Sequence, residues 1–135
     1  MTRQIYVNLA VKDLLRSRAF FSALGFSFEP RFSDENAACL VIDENIFAML
    51  LVEDFFRTFT EKALCDTSRC NEVLVCFSCR SRAEVDELVK KARIAGGTIP
   101  REAKDHGFMY EHAFEDLDGH IWELVYMVPD TAATD

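Results

Sequence analysis

The sequence predicts an α+β chain made of two successive copies of one module, each running strand, helix and three further strands. Three observations predict it. Apolar residues recur at period two over residues 5–11 and again over residues 73–77. Each run leads into helix-spaced apolar residues that stop at glycine, Gly25 in the first half and Gly96-Gly97 in the second. Strand-like runs follow each helix in the same order, and internal repetition of this kind governs the fold more than any single motif.

In the first half, Ile5, Val7, Leu9 and Val11 share one strand face, and Tyr6, Asn8 and Ala10 share the other. Lys12-Asp13 breaks the alternation, after which Leu15, Ala19, Phe20 and Leu24 follow helical spacing. Phe26 and Phe28 begin a second strand, residues 38–42 form a third and residues 46–52 a fourth. Asp43-Glu44-Asn45 is the turn between the last two. In the second half, Val73, Val75 and Phe77 alternate with Leu74, Cys76 and Ser78. Ser81 is placed to cap a helix carrying Val85, Leu88, Val89 and Ala92. A short strand is expected near Thr98-Ile99, then one over about residues 108–115, a turn at Asp116-Leu117-Asp118-Gly119, and a last strand over residues 121–127.

These elements set module one at 4–52, a linker at 53–70, module two at 71–127 and a tail at 128–135, within a single domain of residues 1–135. In the linker, Phe55, Phe56, Phe59, Ala63 and Leu64 sit near helical spacing, which predicts a short amphipathic helix plus a loop. That Phe cluster packs on a sheet edge, or else lines a pocket or subunit interface. Residues 131–135 read as disordered.

Composition narrows the function classes. Half of the 135 residues are apolar and twelve are Phe, enough for a sizeable core. Five Gly and three Pro argue against a low-complexity or collagenous chain. The net charge of −8 argues against nucleic acid, since Lys90, Lys91 and Arg93 lie among acids on one helix. No apolar run approaches the roughly 20 residues that span a bilayer, and Met1-Thr2-Arg3-Gln4 lacks a signal-peptide core. Five Cys without compact disulfide spacing predict reduced thiols in a cytoplasmic protein with no membrane partner. Cys76 and Cys79 have C-x-x-C spacing, but residues three apart on a strand point to opposite faces and no second pair completes a zinc site. There is no P-loop, dinucleotide fingerprint or nucleophile elbow, and Ser78 has no His near it in sequence.

Two segments then carry a resemblance. The opening Val7-Asn8-Leu9-Ala10-Val11-Lys12-Asp13, with Phe20-Phe21 and Leu24-Gly25-Phe26, is one. The ending Phe114-Glu115-Asp116-Leu117-Asp118-Gly119-His120-Ile121-Trp122-Glu123-Leu124 is the other. With the repeat, they make residues 4–127 resemble the vicinal oxygen chelate superfamily, also called glyoxalase/bleomycin resistance protein/extradiol dioxygenase. Within it the chain looks most like a glyoxalase-like branch with the stretch Asp105-His106-Gly107-Phe108-Met109-Tyr110. The resemblance implies paired βαβββ modules forming a curled, cleft-bearing mixed sheet with helices on its outer face, often completed by dimerisation, so a homodimer is expected. It also implies a divalent metal, Zn, Ni, Mn or Fe(II), held by residues of each module's first and last strands, typically two His with one or two Glu. Carried over position by position, these sites fall on Tyr6 and Leu74 in the first strands, on Ala48 or Met49 in the fourth, and on Glu123 in the last. Only Glu123 is a metal-ligand type. The expectation is therefore the family's fold with no metal ligand set and no cofactor.

Glu123 is the candidate catalytic residue, because a carboxylate within Ile121-Trp122-Glu123-Leu124-Val125 needs water, a partner or a cleft. It acts as an acid, a base or a ligand anchor, or else it is a structural carboxylate bonded by Tyr6 or Asn8. His120, after the turn glycine, is expected to face solvent. His112 depends on the turn. If Leu117-Asp118-Gly119 is a three-residue loop with Gly119 left-handed, Ala113 lies opposite Glu123, and His112 points at the helices. If residues 116–119 all form the loop, His112 itself faces Glu123. The glycine placement and the apolar face of Phe114, Trp122 and Leu124 favour the first, which puts Met109 and Glu111 on the Glu123 face.

The resulting expectation is a small-molecule binder whose apolar cleft is lined by Tyr6, Asn8, Leu74, Cys76, Met109, Glu111 and Glu123. Two alternatives stay open. One is a metal-dependent lyase, isomerase or dioxygenase with ligands displaced to His106, His112, Glu111 and Glu123. The other is a drug-sequestering protein like the bleomycin-binding relatives.

Overall fold

The computed structural model describes residues 2–129, so the expectation for residues 131–135 lies outside the described residues. The chain divides into two compact units, Met1–Asp66 and Thr67–Asp135. Each contains a four-stranded mixed sheet, and together with three helices they make an α+β fold of βαβββ type.

In the first unit, β1 (Ile5–Val11) leads into α1 (Leu14–Ala23), followed by β2 (Ser27–Glu29), β3 (Ala37–Asp43) and β4 (Ile46–Val52). The sheet order is β1-β4-β3-β2, with β1 parallel to β4 and the other pairs antiparallel. Asp13 caps α1 by accepting from the Arg16 N–H at 3.1 Å. This cap starts the helix at Leu14 and sets its phase. Leu14, Ser17, Phe20 and Phe21 are the buried residues, whereas Leu15, expected inward, is 80% exposed and Ala19 is exposed too. Leu9, Val11, Phe20, Phe21, Leu24, Leu40 and Leu50 form the core. Full burial of one such side chain contributes about 1.5–3 kcal/mol. The linker opens with one helical turn, α2 (Glu53–Phe56), and a 3-10 turn over Arg57–Phe59. Phe55 and Phe59 rings meet edge to face at 5.1 Å, though Phe59 stays 64% exposed.

The second unit repeats the plan with β5 (Leu74–Ser78), α3 (Arg82–Ile94), β6 (Lys104–Asp105), β7 (Met109–Glu115) and β8 (Ile121–Met127), in sheet order β5-β8-β7-β6. Ser81 caps α3 as expected, accepting from Glu84 N–H at 3.0 Å, while the Glu84 carboxylate reaches back to the Arg80 N–H at 2.9 Å. Val85, Val89 and Ala92 of α3 pack over Phe114, Trp122 and Leu124. The Phe114 and Trp122 rings stack with centroids 6.3 Å apart.

The turn between β7 and β8 explains the Asp116-Leu117-Asp118-Gly119 run. Buried Asp116 accepts from the N–H groups of Asp118 and His120 with one oxygen and from Trp122 Nε1 at 3.0 Å with the other. Burial pushes its carboxyl up, opposed chiefly by His120 and the Trp122 hydrogen bond. Gly119 has φ +89°, and a Cβ there would run into the Thr67 carbonyl oxygen. His120 is 3% exposed and does not face solvent as expected. Its backbone is held against Asp116 and its Nδ1 lies 3.8 Å from Glu72, so the hairpin end folds inward over the side chain.

The expected strand at Thr98-Ile99 is a single antiparallel bridge, Thr98 to Glu115, and the edge strand is Lys104–Asp105 instead. Between these pairings the edge segment has five residues, 99–103, against three of β7, 112–114. Pro100 lies within this bulge and offers no N–H for pairing.

Candidate functional site

Register settles the turn ambiguity. Ala113 pairs with Glu123, Glu111 with Val125 and Cys76 with Glu123. Side chains alternate across a strand, so Cys76, Met109, Glu111 and Glu123 share the sheet face turned away from α3. His112 falls on the α3 side, as the three-residue-loop reading expects. Leu74 lies on the Cys76 face and is 51% exposed. Cys79 is buried and Cys76 exposed, and all five cysteines are free thiols.

On this face a charged cluster forms around a residue that sequence reasoning missed, Arg101. Its Nη2 lies 3.2 Å from Glu123 Oε2 and donates to it, and its Nη1 lies 3.5 Å from Glu111 Oε1. His106 Nε2 lies 3.7 Å from the same Glu111 oxygen. The side chains of Arg101, Glu111 and Glu123 are each between 20% and 28% exposed. The partner of Glu123 is thus Arg101. Tyr6, one of its two expected partners, instead donates its hydroxyl to Gln4 at 2.9 Å.

The bulge is what brings Arg101 here. Two extra residues on an edge strand bend the chain and re-aim a side chain. From the α3 side, His112 Nε2–H donates to the Arg101 carbonyl at 3.2 Å. Two buried side-chain nitrogens of the described residues have no hydrogen-bond partner, Arg101 Nη1 and His112 Nδ1, and both belong to this bulge and its support. A signal for Arg101 existed. Two carboxylates on one partly apolar sheet face call for cations, and the segment before β7 supplies two, Arg101 and Lys104.

Cys76, beside Glu123 and Glu111, has its thiol pushed up by burial first and by the two carboxylates next, against the lowering effect of Arg101. That disfavours thiolate chemistry at this residue. On the α3 side of the same bulge, a concavity of about 680 Å³ is lined by Val89, Arg93, Thr98, Ile99, Arg101 and His112. It lies opposite the charged cluster, and the cluster holds the more specific chemistry.

The other residues expected at the site belong to the first unit. Tyr6 and Asn8 lie on the sheet face turned away from α1, with the Tyr6 ring stacked on Phe47 at 4.8 Å. In the first sheet Asn8 pairs with Met49 and Met49 with Cys39, while in the second Cys76 pairs with Glu123 and Glu123 with Ala113. This register makes Met49, rather than Ala48, the counterpart of Glu123.

The residues do not fit the metal that the fold family implies. Tyr6, Leu74 and Met49 supply no donor of the usual kind, and the carboxylate of Glu123 is taken by a guanidinium. Among the described residues no group of three or more His, Cys, Asp or Glu is arranged to hold a metal ion. None of the described helices is long and apolar enough to cross a membrane.

Comparison with known proteins agrees with this fold. Residues 3–43 match the family model for the bleomycin resistance protein-like N-terminal region. A hypothetical protein from S. aureus is 30% identical with TM-score 0.77, the alignment covering 96% of this chain and 95% of that one. A glyoxalase/bleomycin resistance protein/dioxygenase family enzyme from Burkholderia phytofirmans is 17% identical with TM-score 0.76, over 94% of this chain and all of that one. A fosfomycin resistance protein from Listeria monocytogenes is 18% identical with TM-score 0.66, over 93% of each chain. No curated protein matches the chain. The chain has the fold of the glyoxalase/bleomycin resistance protein/dioxygenase structures and carries the bleomycin resistance protein-like N-terminal region over residues 3–43, consistent with the vicinal oxygen chelate superfamily.

Proposed function

We propose that this glyoxalase-like protein binds a small organic molecule against the face of the second sheet that carries Glu111 and Glu123, without a tightly held metal. One observation carries the reading. The single residue of metal-ligand type at the family's positions, Glu123, is already closed on Arg101 at 3.2 Å. Leu74, Cys76 and Met109 offer apolar contact on the same face, and the Arg101–Glu111–Glu123 group offers both donors and acceptors. A ligand with an apolar body and a polar end matches that mixture. Glu123 anchors the polar end, and the cytoplasmic homodimer expected from the sequence belongs to the same reading. The relatives named for bleomycin and fosfomycin resistance support testing those two drugs first.

The test combines elemental analysis of protein purified without added metal with melting curves across a panel of metabolites and both drugs. A compound present at 100 times its Kd stabilises the fold by about 2.7 kcal/mol. The expected result is metal well below stoichiometry and a raised Tm for at least one compound, the rise being lost in Glu123→Gln. Near-stoichiometric Zn, Ni, Mn or Fe that disappears in Glu123→Gln overturns the reading in favour of a metalloenzyme using His106, Glu111 and Glu123.

A further inference from the structure

Three residues of metal-ligand type, His106, Glu111 and Glu123, form a chain of contacts in which the two carboxylates flank one guanidinium and the imidazole stands behind Glu111. Arg101 lies 3.2 Å from Glu123 and 3.5 Å from Glu111, and His106 stands 3.7 Å from Glu111. Imidazole with two carboxylates is a donor set suited to a divalent cation. Here a permanent organic cation stands among them. An arginine side chain keeps its charge at every physiological pH, so it neutralises these carboxylates without dissociating.

The arrangement is built into the backbone. The two-residue bulge carries Arg101 out of the edge strand, and His112 holds the Arg101 carbonyl from the opposite side of the sheet. The first unit has no equivalent need, because its matching positions are Met49 and Ala37.

We propose that Arg101 is the resident cation of this site, its guanidinium standing against Glu123 and Glu111 where a divalent cation would otherwise bind, and so making the site metal-independent. This rests on the metal-free reading above. It also narrows the ligand class. Glu111 and Glu123 meet Arg101 at 3.5 and 3.2 Å, and Lys104, which pairs with Glu111, adds a second cation to the same face, so its charges nearly balance and a ligand with a net charge of its own gains little. A neutral molecule fits, presenting an acceptor oxygen to Arg101 and an N–H or O–H donor to Glu111 or Glu123.

The experiment titrates tag-free, chelator-treated protein with Mn²⁺ and follows the free Mn²⁺ signal by electron paramagnetic resonance. Mn²⁺ favours carboxylate and imidazole over the free thiols. Arg101→Gln, which keeps a donor for Glu123 but no charge, is expected to bind Mn²⁺ about tenfold or more tightly than the wild type. Arg101→Met, which removes the donor as well, is expected to do the same and stands in if Arg101→Gln does not fold. Arg101→Lys, retaining the charge, is expected to show no gain, and adding Glu123→Gln to Arg101→Gln is expected to abolish it. A metal-free wild type whose neutral Arg101 variants fold and gain nothing overturns the role of Arg101 alone. A wild type that binds Mn²⁺ one to one, with the binding lost in Glu123→Gln, overturns the metal-free reading itself.

Discussion

The two units are the same scaffold with different upper surfaces. On the helix-facing side, Leu9, Leu40 and Leu50 of the first sheet correspond to Phe77, Phe114 and Leu124 of the second, all large and apolar. On the other side the rows diverge. The first sheet places Asn8, Met49 and Cys39 side by side, with Ala10, Leu51 and Ala37 in the next row. The second places Cys76, Glu123 and Ala113 together, then Ser78, Val125 and Glu111. The edges differ as well, since β2 pairs with β3 over Ser27–Glu29 while the second unit loops out residues 99–103. The packed side is constrained by the helix above it. The other side is free to acquire charge, provided a cation comes with it.

Breaking the shared side is expected to have the largest effect. Trp122→Ala removes a side chain that is 1% exposed and stacked on Phe114, and is expected to cost about 3–5 kcal/mol in urea unfolding followed by circular dichroism. The measured loss also leaves Asp116 without its indole donor. A loss below about 1 kcal/mol would mean that α3 packs on the sheet without this residue.

The divergent side is sharpened by exchanging its key position. Met49→Glu places a partly buried carboxylate on the first sheet, whose matching rows hold no cation, and is expected to cost about 1–3 kcal/mol. Glu123→Met in the second unit is expected to cost less, because Arg101 keeps Glu111. Equal costs in the same unfolding assay would show that the charged surface depends on no particular pairing.

The smallest effect concerns how helix and sheet are tied. Tyr110 donates its hydroxyl to Asp86 of α3 at 2.5 Å, and that hydrogen bond, with burial and the nearby acids, pushes its pKa up to about 12 from 10.0. The folded state therefore holds this proton more tightly than the unfolded chain does. The stabilisation is complete below pH 10 and is lost as the pH rises toward about 12. Tyr110→Phe is expected to remove that alkaline slope while leaving the core intact, as read from unfolding free energies over this range. An unchanged slope would assign it to other groups.

Much of the fold was legible in the residues. Period-two runs set the main strands, Ser81 set the start of α3, and the glycine at 119 fixed the β7–β8 loop. That loop in turn placed Glu111 and Met109 on the Glu123 face and His112 on the other. The misses have separate local causes. Leu15 for Leu14 is an error of helix phase, decided by a cap one residue upstream. His120 looked exposed because a turn is usually wet, yet the Asp116 hydrogen bonds fold this one inward. Arg101 escaped because a bulge breaks the alternation from which faces are read.

The sequence by itself determined the repeated module, its apolar helix-facing sides, the acidic charge and the absence of metal-ligand side chains at three of the family's four positions. These are local or periodic properties, readable wherever spacing dictates direction. Only the tertiary structure decided what neutralises Glu123. The partner comes from 22 residues away, through an irregular edge whose geometry depends on a histidine beneath the sheet, and no period in the sequence encodes such a contact.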